Sequence, residues 1–218
     1  MGQAQTSCNR CGECCRKGGP VLHTEDLVLV KSDKIPTIHL ITIRKGELVL
    51  NPQAGCVQPA KTELVKIKGK GRNWVCHYYD EQNQSCRMYE LRPVACETLK
   101  CWDTEKILDI IEKDTLCRFD IVDKDSPLYD VIKEHEQLCP CPDFEYIAEK
   151  RTKISASLKE ELEKRVRDDL TFRTRQVKAY QLQLADELFY FGRPLFQLLQ
   201  PFGARILETP IGIELYWR

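Results

Sequence analysis

"CNRCGECC", residues 8–15, places four cysteines in eight positions. The flanking "MGQAQTS" and "RKGGP" are polar and glycine-rich, without the seven or more continuous apolar residues of a signal peptide or the longer run of a membrane anchor. The expected location is therefore the cytoplasm, where thiols stay reduced and dense cysteine patterns point to metal binding or redox chemistry rather than to disulfides. A two-residue gap lets neighbouring sulfurs face one metal while backbone amides donate to them, and Gly12 supplies the tight turn this needs. Cys8, Cys11 and Cys14 repeat the opening of a bacterial ferredoxin run, but Cys15 follows at once where x3-C-P should stand, which disfavours a simple ferredoxin. Adjacent side chains diverge by roughly 100° on a helix. Cys14 and Cys15 are accordingly expected to serve two centres, or two edges of one multinuclear centre.

Four more thiols follow in "CHYYDEQNQSCRMYELRPVACETLKC", where Cys76, Cys86, Cys96 and Cys101 fall at intervals of ten, ten and five. Together the two runs resemble the YkgJ-type cysteine-cluster family, the zinc- or iron-chelating CxxCxxCC domain. The likeness covers about residues 8–101, and its most specific parts are "CNRCGECCR" and "CRMYELRPVAC", a Cys-x-x-Tyr-x-x-Arg-Pro-x-x-Cys segment. The resemblance implies a metal or iron–sulfur site built from Cys8, Cys11, Cys14, Cys15, Cys76, Cys86, Cys96 and Cys101. It implies no single reaction; one related group, the flagellin lysine methylases, brings methyl transfer into view.

Thiolates accept both Zn(II) and iron–sulfur clusters, so an iron–sulfur cluster, iron and zinc all remain candidate cofactors. Four thiolates around Zn(II) leave two negative charges, which Arg10, Arg16, Lys17, Arg87 and Arg92 can offset. Arg92, fixed by Pro93 between Cys86 and Cys96, is the best placed; Tyr89 and Glu97 read as structural. His77, beside Cys76, is an alternative ligand, whereas His23 and His39 have no supporting pattern. Lone Cys56 reads as a small apolar residue. A further candidate metal set is Cys117, His135, Cys139 and Cys141, with His135 one helical turn before Cys139 and prolines stiffening the loop that follows.

All twelve cysteines lie between Cys8 and Cys141. This division predicts an α+β fold: a cysteine-rich metal-binding domain of short strands and helices at 1–154, then a mainly helical module at 155–218. In the first, Thr24 caps "EDLVLV", and "IHLITIR" and "ELVLNP" form a hairpin about Lys45-Gly46. "TELVKIK" and "NWVCHYY" pair about Gly69–Arg72, Thr104 caps "EKILDIIEK", and Ser126-Pro127 opens "LYDVIKEH". In the second, the run from Ser155 has no Gly or Pro until Gly192 and repeats Leu170, Val177, Leu184 and Phe191 every seven residues, which predicts one long amphipathic helix. Arg173 and Glu187 make it a poor zipper, so packing on its own domain is preferred to a homodimer seam, although the helix is also the surface for any protein partner. "ILETPIGIELYWR" closes the chain as a strand pair about Pro210–Gly212.

With 33 basic and 33 acidic residues the chain has no net charge and no basic stripe, so neither nucleic acid nor membrane is an expected partner. "MGQAQT" fits the myristoylation pattern by chance. There is no phosphate loop, no G-x-S-x-G elbow and no H-E-x-x-H helix. Three functions follow: a metal- or cluster-binding protein in electron transfer or metal handling, a cluster-dependent methyltransferase or oxidoreductase, and a structural-zinc interaction module.

Overall fold

A computed structural model describes residues 5–150, 154–209 and 212–217. The first four residues of the myristoylation-like pattern and the Pro210-Ile211 turn lie outside them. The fold is α+β. In chain order the elements are α1 (Glu13–Arg16), α2 (Leu27–Lys31), β1 (Leu40–Ile43), β2 (Leu48–Asn51), β3 (Cys56–Pro59), β4 (Leu64–Ile67), β5 (Gly69–Lys70), β6 (Val75–Cys76), β7 (Tyr79–Asp80) and β8 (Ser85–Cys86). There follow α3 (Val94–Thr98), α4 (Glu105–Ile110), α5 (Arg118–Ile121), α6 (Pro127–Leu138), α7 (Phe144–Glu149), α8 (Ala156–Tyr180), α9 (Leu184–Tyr190), α10 (Leu195–Leu199), β9 (Ala204–Thr209) and β10 (Gly212–Trp217). The 1–154 and 155–218 division is one of composition. By contact, the chain groups into one unit of 1–41 with 64–121 and a second of 42–63 with 122–218.

The first unit is built of short elements. Leu22, Val65 and Leu116, all but inaccessible, run a ladder through three distant segments: Leu22 N–H donates to Val65, Val65 to Leu116 and Leu116 to Leu22, each at 2.8–2.9 Å. The helix expected after Thr24 forms as a 3-10 turn continued by α2, but Thr24 does not cap it. Its hydroxyl turns to Glu25, and the buried Asp26 carboxylate accepts the His23 N–H at 2.9 Å instead. The second hairpin forms a few residues later than expected, with Gly69 opposite Cys76 and Lys70 opposite Val75, so Gly71–Trp74 makes the turn. α4 starts after Thr104 but stops at Ile110, and Thr104 makes no capping bond.

In the second unit β2 pairs with β3, Leu48↔Pro59 to Asn51↔Cys56, rather than closing the expected hairpin on β1. The reason lies in the Arg44–Glu47 turn. Glu47 is buried, its carboxylate accepts the Arg44 N–H and pairs with Arg193, and Gly46 and Glu47 exchange backbone bonds with Ala60. Asn51 Oδ1 then accepts from Gln53 and Ala54 and makes the real hairpin turn. α6 begins as expected, with Ser126 Oγ accepting the Leu128 N–H and Pro127 at the first helical position. β9 and β10 pair antiparallel, also as expected.

The long helix is interrupted. α8 ends where Gln181 turns left-handed at φ +52°, and α9 restarts with Asp186 accepting the Gln183 N–H. The heptad therefore does not share a face: Leu184 is 81% exposed and Phe191 is fully buried. The buried face of α8 instead carries Leu162, Val166, Asp169, Phe172, Arg173 and Gln176. Leu162 and Val166 join Phe144, Ile147, Leu195, Leu198 and Phe202 in the main core, and Phe172 packs with Val131, Cys139 and Phe191. The polar part of that face makes a hub. Asp169 accepts from His135 Nε2 at 2.8 Å, Arg173 Nε at 2.9 Å and Leu195 N–H at 2.9 Å, while Arg173 donates onward to the carbonyls of Phe191, Gly192 and Arg193. No helix among the described residues is long and apolar enough to cross a membrane.

Candidate metal centre

Gly12 starts the site. At φ +80° it bends the cysteine loop into α1, and a Cβ there would sit 2.0 Å from the Tyr79 hydroxyl, so only glycine lets the loop rest on that ring. Arg16 fastens the turn by donating to the Cys11 carbonyl at 2.9 Å and reaching the Tyr79 hydroxyl at 3.5 Å. α1 packs along β6, which carries the buried Cys76; Tyr79 of β7 lies opposite Cys86 of β8. Pro93 opens α3, which carries Cys96, and its Val94 N–H is held by Asp26 Oδ1 at 2.9 Å.

These local structures bring Cys14, Cys15, Cys76, Cys86 and Cys96 into one neighbourhood. Burial first, and then the charges of Cys86 and Cys14, raise the Cys76 thiol. Burial likewise raises Cys96, with Cys76, Cys14 and Cys86 adding to it and Arg92 opposing. The sulfurs of the vicinal pair lie 3.9 Å apart. That spacing is close to the edge of a tetrahedral tetrathiolate, about 3.8 Å for metal–sulfur bonds of about 2.3 Å. A hydrogen bond joins the two thiols and either can donate; with the proton on Cys15 it lowers Cys14 to about 6, while the same bond and burial push Cys15 up.

Cys8, Cys11 and Cys101 are exposed. Cys8 Sγ accepts the Arg10 N–H at 3.4 Å, the amide-to-sulfur bond that such loops provide, and Cys101 Sγ faces the Gln5 amide at 4.0 Å. The CxxCxxCC family, described as "Putative zinc- or iron-chelating domain", matches residues 7–118. The chain belongs to this family. No curated protein and no solved structure matches the chain.

The CxxCxxCC domain thus spans slightly more than half of the chain, and it includes every cysteine of the two runs. Around its thiols stand cations on aromatic rings: Arg16 lies 5.6 Å from the centre of Tyr79, and Arg10 and Arg92 lie 4.2 and 4.0 Å from that of Tyr89. His77 turns to His39, their ring centres 3.8 Å apart, and burial lowers His77 to about 4. Sequence reasoning missed Tyr79 and Asp26. Neither carried a signal in the sequence: Asp26 closes a capping box on His23, which is not an ordinary capping residue.

Of the further set, His135 and Cys139 do meet, one helical turn apart and buried, and they are joined by Asp169 of α8, with donor atoms mutually within 4.8 Å. Cys117 belongs to the first unit, with its N–H donating to Asp120. Cys141 packs against the main core of the second unit, where burial raises its thiol to about 12. Asp169 was not legible as a partner because it lies 34 residues from His135. Cys56 is exposed in β3 rather than buried, because the β2–β3 ribbon leaves that residue on the outside.

Proposed function

We propose that the CxxCxxCC domain holds a thiolate-bound zinc or iron centre on Cys14, Cys15, Cys76, Cys86 and Cys96, with Cys8, Cys11 and Cys101 drawn in from the exposed loops, and that the protein works in metal handling or electron transfer. The observation that carries this reading is the gathering of five sulfurs from α1, β6, β8 and α3, four short elements with little apolar core of their own. Thiols gathered so closely are a poor way to build a core and a good way to hold a soft cation. The donor set fits Zn(II) in a tetrathiolate and equally an iron–sulfur cluster. When bound, the metal supplies a positive centre that holds these thiols as thiolates. The chain itself supplies the Gly12 turn, the Tyr79 floor and the arginines that offset thiolate charge.

The test is metal content by mass spectrometry, with an optical spectrum, on protein purified without oxygen. Bound zinc without colour supports a zinc centre. Broad brown absorbance that bleaches on reduction supports a cluster and electron transfer. Protein that retains neither metal, or that keeps its full complement when Cys76 and Cys96 are both changed to Ala, overturns the reading.

A further inference from the structure

Arg10 and Arg92 share the ring of Tyr89, and the stack joins the first cysteine loop to the Arg-Pro segment. Stacking uses the face of a guanidinium and leaves its edge N–H donors free for an acceptor in the same plane. Among the described residues neither side chain forms an ion pair or donates a hydrogen bond, and Arg92 Nε is buried without an acceptor. The other stacked arginine differs: Arg16 reaches the Cys11 carbonyl, Glu13 and Tyr79.

We propose that Arg10 and Arg92, held on Tyr89, form an anion subsite beside the thiol cluster and take the carboxylate or phosphate group of a small ligand. Guanidinium edges match both oxyanions in two-point hydrogen bonding, and the shared ring holds both side chains beside it. The place also makes chemical sense. A thiolate–metal centre carries net negative charge and repels an anionic ligand, so a ligand of that class needs local cations to approach it. Arg10 stands one residue before Cys11 and Arg92 four before Cys96, which puts the subsite at the edge of the centre.

The assignment to a ligand of the metal centre rests on the function proposed above, and the experiment separates the two. The full chain is titrated calorimetrically with inorganic phosphate and with acetate at constant ionic strength set by chloride, and the metal content of each sample is measured in parallel. Saturable binding is expected, and Arg10→Gln weakens it by about ten-fold or more at equal metal loading. Arg10→Lys recovers only part, since it keeps the charge and loses the fork. Tighter binding of phosphate points to a phosphorylated ligand, and tighter binding of acetate to a carboxylate. No saturable binding of either anion, or unchanged affinity in Arg10→Gln, overturns the subsite and leaves the two arginines as charge compensation alone. A wild-type sample without metal overturns the metal reading, while its anion titration still decides the subsite.

Discussion

Helix α8 contains its own control for the cost of a buried charge. Asp169 and Arg173 stand four residues apart and meet at 2.9 Å with side chains 0% and 3% exposed; Glu161 and Arg165 have the same spacing and meet at 2.8 Å with side chains 54% and 36% exposed. Removing one member of a buried pair leaves the other charge without solvent or partner and costs about 3–5 kcal/mol, whereas an exposed helical pair contributes about 0.3–0.5 kcal/mol. Asp169→Asn removes the counter-charge of Arg173 and weakens the acceptor that holds His135 Nε2 and the Leu195 N–H. The expected loss is about 3–5 kcal/mol, a large part of a domain's stability. Glu161→Gln makes the same chemical change on the same helix and should cost less than about 0.5 kcal/mol. Urea unfolding of the full chain, followed by far-ultraviolet circular dichroism, measures both. If Asp169→Asn costs under about 1 kcal/mol, or no more than Glu161→Gln, the hub is not what fastens the 191–193 turn to α8.

Acid should loosen the same hub. Burial lowers His135 to about 4 from an ordinary 6.5, so the neutral ring's contribution is fully present above about pH 6.5 and is lost as pH falls toward 4, up to about 3 kcal/mol; burial alone would raise Asp169, but the bond from His135 and the charge of Arg173 hold it low, which acts in the same direction. Unfolding free energies at pH 7.5 and 4.5 check this against His135→Asn, and equal pH dependence in the two proteins would refute it. Gly12→Ala forces a side chain into a left-handed position and onto Tyr79, so zinc affinity in a competition titration with a chromogenic chelator should fall; unchanged affinity counts against the Tyr79 floor. In metal-free protein, alkylation of Cys14 should rise with a midpoint near pH 6, and Cys15→Ala should move that midpoint up toward the ordinary thiol range near 8.5. A Cys14 midpoint that ignores Cys15 would show that the pair does not share its proton.

What the sequence shows plainly are the features whose causes are local. Thiol spacing, the Gly12 turn, the Ser126-Pro127 cap and the closing β9–β10 pair each depend on a few adjacent residues, and each stands where its signal lies. Two of the misreadings share a different cause, which is a buried charge whose partner is far along the chain. Lys45-Gly46 has the composition of a hairpin turn, but Glu47 is committed to Arg193, 146 residues on, and the strand after the turn takes another partner. The run after Ser155 has a helix's composition through Phe191. Yet Arg173 needs the carbonyls of Phe191, Gly192 and Arg193, and a continuous helix would keep the first of these pointing along its own axis. A break at Gln181 turns that segment back toward α8. The heptad counted Arg173 as a defect in an apolar seam, although it is the residue around which the seam is rebuilt. The candidate cysteine site depends less on such distant partners, because soft ligands announce themselves by type. The charged residues that organise the rest of the chain look, one at a time, like solvated surface.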